Sequence, residues 1–205
     1  MLTEGKYGRQ ELSKGVGGAI RLADDGSVVL SSRYRELARE GRVYAGCTAA
    51  AGVAPGTAIG TTGAADLWLP PGTTDTVLEI IRVSLGYLSG TLGAGTIQYI
   101  SHVRSEVPHT SASVVEPVNV YGFSRGAKGS FLSAATVPAS GLAVRNFCSL
   151  GASLASTAGV PWQIVDRVEG EIAVLEGRGV SLQGIAAAGT SPLVLMEILW
   201  AEVPA

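Results

Sequence analysis

Past residue 42 the chain offers no long amphipathic helix. Short apolar segments rich in Val, Ile, Leu and Tyr follow one another, each cut off by Gly, Pro or Ala-Gly turns. A chain punctuated in this way has to bury its apolar surface between strands, and it predicts an antiparallel sandwich or barrel. The expected strands cover residues 42–48, 66–69, 76–87, 96–100, 113–121, 129–134, 141–148, 162–168, 170–175, 179–184 and 193–202. In the clearest of them, 76–87, alternation places Val77, Ile81, Val83, Leu85 and Tyr87 on one face, with Glu79 out of place, and Leu78 and Ile80 on the other. Residues 89–95 read as a turn, and 96–100 as its return strand. The last strand is apolar on both faces from Leu193 to Trp200, apart from Glu197. A strand wet on one side alternates, so this one is expected to be central, with a second cover supplied by the N-terminal arm or another subunit.

Charge is distributed unevenly. Residues 1–42 hold eight of the fifteen Lys and Arg and six of the seventeen Asp and Glu. The remaining 163 positions carry 7 basic and 11 acidic residues. The chain is therefore expected to be a polar arm, 1–41, joined to a charge-poor β domain, 42–205. Within the arm, 31–41 predicts a helical stretch with Ser32 as N-cap and Gly41 closing the C-terminus. Residues 1–27 hold too few apolar side chains for a core of their own. Globular surfaces usually carry about 25–35% charged residues, whereas subunit interfaces exclude charge at their centres. A body this poor in charge predicts a stable oligomer whose subunits cover one another.

The same composition excludes several classes. Charge is too sparse for a solvated disordered chain, and the 28 glycines have no three-residue period. A net charge of −2 gives no general attraction to nucleic acid or anionic lipid. Residues 43–65 and 83–103 lack Asp, Glu, Lys and Arg, yet Gly, Pro, Ser and Thr break them too often for membrane spans. The N-terminus lacks the apolar run of a secretory signal, so the expected location is the cytoplasm of the producing cell. Cys47 and Cys148 read as two buried free thiols, with a disulfide left open.

Catalytic chemistry finds little support. The two histidines, His102 and His109, with Glu106 between them, do not match a metal-ligand spacing, and they read as part of a solvated loop. No nucleophile elbow occurs, and Asp66 and Asp75 have no positional tie to either His. Residues 122–130 carry Arg125 and Lys128 on what reads as a basic hairpin loop, without phosphate-loop spacing. Asp166, Glu169 and Glu171 read as a solvated turn rather than a glycosidase pair. Trp68, Trp162 and Trp200 have apolar neighbours and read as core or interface residues.

Residues 41–46 (Gly-Arg-Val-Tyr-Ala-Gly), the Ala/Gly loop to Gly63, and 84–95 (Ser-Leu-Gly-Tyr-Leu-Ser-Gly-Thr-Leu-Gly-Ala-Gly) resemble β-rich virion structural proteins of tailed bacteriophages. So do 179–184 and 189–204. The nearest class is the capsid cement, or decoration, protein. The resemblance spans 41–204 and omits the arm. It implies an all-β, jelly-roll-like antiparallel sandwich, often trimeric, on the outer capsid surface, with no catalytic residues. The expectation is thus a non-enzymatic virion protein without cofactor or metal, binding the major capsid protein but neither nucleic acid nor membrane. Arg33, Arg35, Arg39 and Arg42 of the arm would contact the major capsid protein or a neighbouring subunit, and Arg125 and Lys128 an acidic partner. The alternative is a carbohydrate-binding sandwich of a head fibre or tail receptor module. Exposed tryptophans beside a groove would favour it and buried ones would oppose it. A cupin-type enzyme would require the histidines and carboxylates to converge.

Overall fold

The structure, a computed structural model, describes residues 33–150, 163–185 and 189–205. The chain divides into two units, residues 1–36 and 37–205. Helix α1 (Arg33–Arg39) begins in the first and ends in the second. Its C-terminus closes as the sequence predicts. Gly41 takes φ +72°, its N–H bonds to the Ala38 carbonyl, and the Arg42 N–H bonds to the Leu37 carbonyl, each at 2.9 Å. This is the Schellman arrangement, which favours glycine because a Cβ is strained there. The expected N-cap, Ser32, lies outside the described residues.

Twelve strands follow among the described residues: β1 (Val43–Cys47), β2 (Thr62–Trp68), β3 (Thr76–Ser89), β4 (Gly95–His102), β5 (Thr110–Val115), β6 (Val118–Asn119), β7 (Ser130–Thr136), β8 (Leu142–Leu150), β9 (Gln163–Arg167), β10 (Ala173–Val174), β11 (Gly179–Ile185) and β12 (Leu193–Pro204). They form two antiparallel sheets packed as a β-sandwich. One runs β10-β3-β12-β1-β6, with β9 also on β3, and the other runs β5-β7-β2-β11-β4-β8. Strands β1 to β4 alternate between the sheets, and β8 to β12 return beside them: β12 lies between β1 and β3, and β11 between β2 and β4. This nested wrapping is a jelly roll. Strands β5, β6 and β7 are an insertion into it that lengthens both sheets at one side.

Three connections differ from the sequence reading. β4 is not the hairpin partner of β3. It pairs with β11 and β8 in the opposite sheet, so 89–95 crosses the sandwich. The expected strand 113–121 splits into β5 and β6, in different sheets, at Glu116-Pro117, where proline offers no N–H to a ladder. Residues 122–130 likewise pass between sheets and are not a hairpin. The two-residue hairpin geometry needs local pairing, and here the partners of each strand are distant in sequence.

The faces of β3 also differ from the alternation. Leu78, Ile80, Val83 and Leu85 are all buried in one core. The pairing with β12 skips Ile81: Trp200 faces Ile80 and Leu199 faces Arg82. This bulge reverses the parity of the strand midway, and it brings both halves of β3 to bear on the interior. The core also includes Leu67, Tyr99, Phe131, Met196 and Ile198, and Tyr44 stacks on Trp200 at 6.1 Å and 28°. β12 is central, as expected. Its Val194, Met196, Ile198 and Trp200 side is fully buried, while Leu193, Leu195 and Leu199 on the other side are half-buried.

Candidate contact cleft and a buried polar cluster

The ends of β1, β3 and β12 meet because Val43 pairs with Ala201 and Thr76 with Pro204. Around that corner Arg42, Arg125, Lys128, Asp75, Thr76, Glu202 and Pro204 line a cleft of about 270 Å³. Three of the six basic residues singled out from sequence thus converge. The Lys128 ammonium donates to both Asp75 oxygens, at 2.8 and 2.9 Å, and to Thr76 Oγ1 at 3.0 Å. The bonds from Lys128, and then the Thr76 hydroxyl donating to Asp75 Oδ1 at 3.1 Å, hold the exposed Asp75 carboxyl below its ordinary range. Glu202 is 3% exposed and accepts the Lys128 and Gly129 amides at 2.5 and 3.0 Å. Burial pushes its carboxyl up against the pull of those two bonds. Arg42 Nε lies 3.5 Å from Glu40. Arg125 is exposed and makes no ion pair among the described residues. Within the cleft Lys128 is thus paired with Asp75, while Arg42 leans on Glu40 beside it. Arg33, Arg35 and Arg39 are exposed on α1, and Arg33 lies over the Tyr34 ring at 5.9 Å.

A second constellation was not legible in the sequence. His102 and His109 are not in a solvated loop: they are 3% and 4% exposed. The side of β2, β11 and β4 turned away from the core carries Asp66 and Ser181 side by side, with His102 one step along the same face, opposite Gly179 and next to Trp68's row. The segment after β4 folds back so that His109 Nδ1 donates to Asp66 Oδ2 at 2.7 Å, which supplies the tie that linear spacing hid. Trp68 stacks on His109 at 5.3 Å, and the two imidazoles meet edge to face at 5.6 Å. His102 Nε2 lies 2.7 Å from Ser181 Oγ, and its Nδ1 lies 3.2 Å from the Ala139 carbonyl. Ser181 Oγ also receives Gln183 Nε2 at 2.9 Å. A carbonyl can only accept, so Nδ1 of His102 carries the proton and Nε2 accepts the Ser181 hydroxyl. Burial holds the His102 imidazole below its ordinary range, with Asp66 opposing. A pocket of about 140 Å³ beside the rings is lined by His102, Arg104, Ser105, His109 and Ala139. Ser181 is fully buried, so the Ser–His contact offers no exposed nucleophile.

The acidic turn behaves as the sequence suggests in part. Val168–Glu171 turns tightly, and Arg145 joins Asp166 at 2.9 Å to Glu171 at 2.5 Å. β9 and β10 each pair with β3 rather than with one another. Trp68 and Trp200 are buried, against a sugar platform, while Trp162 lies outside the described residues. Both cysteines are free. Cys148 is buried, but Cys47 is exposed because it ends β1 facing outward. Among the described residues no three His, Cys, Asp or Glu side chains converge as metal ligands, and no helix is long and apolar enough to cross a membrane.

No protein-family model matches the chain, and no curated protein matches it. Among solved structures it is similar to the tripod from the baseplate of bacteriophage Tuc2009, at 11% identity over 98% of this chain and 83% of that one. The TM-score is 0.26, too low to bear on fold or function.

Proposed function

We propose that this chain is a non-enzymatic virion structural protein, specifically a capsid cement protein that closes into a homotrimer through its β body and binds the major capsid protein on the outer shell. One observation carries the reading: the body has apolar rims at opposite edges. At the β6 edge Val118, Val120, Tyr121 and Phe123 are 44–66% exposed. At the β8 edge of the other sheet Leu142 is 77% and Val144 54% exposed. Two distinct apolar rims on a charge-poor body suit a head-to-tail contact that closes a ring. Binding to an assembled shell then stabilises it by linkage. Arg125 and Lys128, with Arg42 at the same cleft and Arg33, Arg35 and Arg39 on α1, supply the polar contacts to the shell.

The test is light scattering on the purified chain, with co-sedimentation against assembled shells of the major capsid protein. A trimer that dissociates with Leu142→Ser plus Val144→Ser, and whose co-sedimentation alone is lost with Arg125→Glu, is expected. A wild-type monomer that ignores shells would overturn the reading.

A further inference from the structure

The outer side of the second sheet is covered by two loops, 103–109 and 137–141, and each is fastened through a histidine. The 137–141 loop is held where the Ala139 carbonyl accepts His102 Nδ1–H, while the same ring accepts from Ser181 on β11. The 103–109 loop is held where His109 donates to Asp66 on β2. The rings touch edge to face, so the fastenings are adjacent. Backbone bonds tie the loops only lightly: Ser105 N–H to Gly177 O and Val137 N–H to Thr61 O, each at 2.8 Å.

We propose that this arrangement is an acid-operated latch: opening the two loops hydrates His102, which then takes a second proton that the closed form excludes, so acid favours the open form. Its atoms dictate the direction. In the closed form Nε2 has no hydrogen and accepts one from Ser181. Adding a proton there turns an acceptor into a donor, aimed at a hydroxyl that already receives Gln183 Nε2. The Ser181 hydrogen then has to leave the bond, and a cation sits where water is excluded. The groups facing His102 are Asp66 from β2, His109 from the following loop and Arg104 at the pocket mouth. Arg104 is itself paired with Glu106 at 3.0 Å and Glu176 at 3.5 Å. Loop 137–141 brings no ionisable side chain, and β11 brings Ser181 and Gln183. The carboxylate among these at the rings, Asp66, accepts from His109 through Oδ2, and its buried Oδ1 makes no hydrogen bond, so Asp66 opposes the effect of burial on His102 by charge and not by a direct bond. Desolvation keeps the closed imidazole neutral below its ordinary value. Opening therefore takes up one proton as pH falls below about 6.5, and the opening constant rises about tenfold per pH unit until the closed form titrates too. The latch is independent of the virion reading.

The chain has two histidines, so its histidine NMR spectrum has two assignable imidazoles. The experiment follows their titration together with hydrogen exchange of the Ser105 and Val137 amides, corrected for intrinsic pH dependence. The Met196 amide, bonded to Thr48 Oγ1 in the core, serves as control. Expected are a neutral His102 below pH 6.5 and exchange at Ser105 and Val137 that accelerates by about tenfold per pH unit while Met196 stays unchanged. His102→Gln, which can still donate to Ala139 and accept from Ser181, should flatten that dependence. Flat exchange at both amides in the wild-type chain would overturn the latch, as would an equal acceleration in His102→Gln. If that variant does not fold, the wild-type titration decides: a His102 that protonates like a free imidazole without loop opening refutes it.

Discussion

Gly46 on β1 points into the sandwich directly against Phe131 on β7 of the facing sheet. A Cβ placed there would lie 2.7 Å from both Cβ and Cδ2 of Phe131, closer than carbon atoms approach without displacement. Phe131 is 1% exposed and has no room to retreat. Gly46→Ala is thus a one-carbon overpacking of a closed interior, and the usual cost of such an insertion is about 1–3 kcal/mol. Strand propensity works the other way, since alanine loses less backbone entropy than glycine by about 0.5–1 kcal/mol, so the steric term prevails. For a domain of this size each kcal/mol moves the melting midpoint by about 2–4 °C. The assay is thermal and urea unfolding of the wild type, Gly46→Ala, Phe131→Leu and the double variant. Gly86→Ala is the control, because a Cβ on Gly86 meets nothing within 4 Å. Gly46→Ala should lower stability while Gly86→Ala does not. The double variant should be more stable than the sum of the singles by about 0.5–3 kcal/mol, the range expected of residues in contact. A neutral Gly46→Ala, or strict additivity, would refute the claim that hydrogen alone fits at this crossing.

Two further outcomes follow from ionisable groups. In native protein a thiol reagent should label one cysteine, the exposed Cys47. Cys148 should stay protected until unfolding, because it is buried and its thiol is pushed up to about 11; two fast equivalents in native protein would contradict its placement. Glu202 binds its proton more readily folded than unfolded, so its contribution is full below the unfolded value of about 4.3 and is lost as pH rises through the raised one. Glu202→Gln should abolish that loss, so the variant should gain on the wild type as pH rises above about 4.3 in urea titrations. Parallel pH curves would show that burial does not govern this carboxyl.

What the sequence revealed and hid has a physical pattern. The strands themselves were legible because each carries its own apolar run and turn residues, as at β12 and β11. Partner choice was not, because it depends on residues far along the chain. The segment 89–95 has the composition of a hairpin turn yet crosses between sheets, and only the β4–β11 ladder decides that. The parity of β3 was misread for a similar reason: the bulge at Ile81 is set by its register against Leu199 and Trp200. The polar cluster was hidden most deeply. Asp66, the His102–His109 stretch and Ser181 come from three separated segments, and no local spacing links them. One signal did exist. Asp66 stands between Leu67-Trp68-Leu69 and Ala64-Ala65, and a lone carboxylate in so apolar a strand demands a partner. The basic residues at the cleft were found for a simple reason: in a body with so few charges, any cation is conspicuous.

The central place of β12 bears on how the molecule can be made. Its two neighbours, β1 and β3, are synthesised early, but they have no strand between them until residues 193–204 have emerged. A nascent chain must hold open two unpaired strand edges, one of them fourteen residues long, throughout the synthesis of what lies between. The β1 and β3 portions of the first sheet, each able to pair earlier with β6 or with β9 and β10, are therefore joined only when β12 inserts between them. Chains cut short anywhere before Leu193 would leave that slot empty and expose it to any strand that fits, including β12 from another copy.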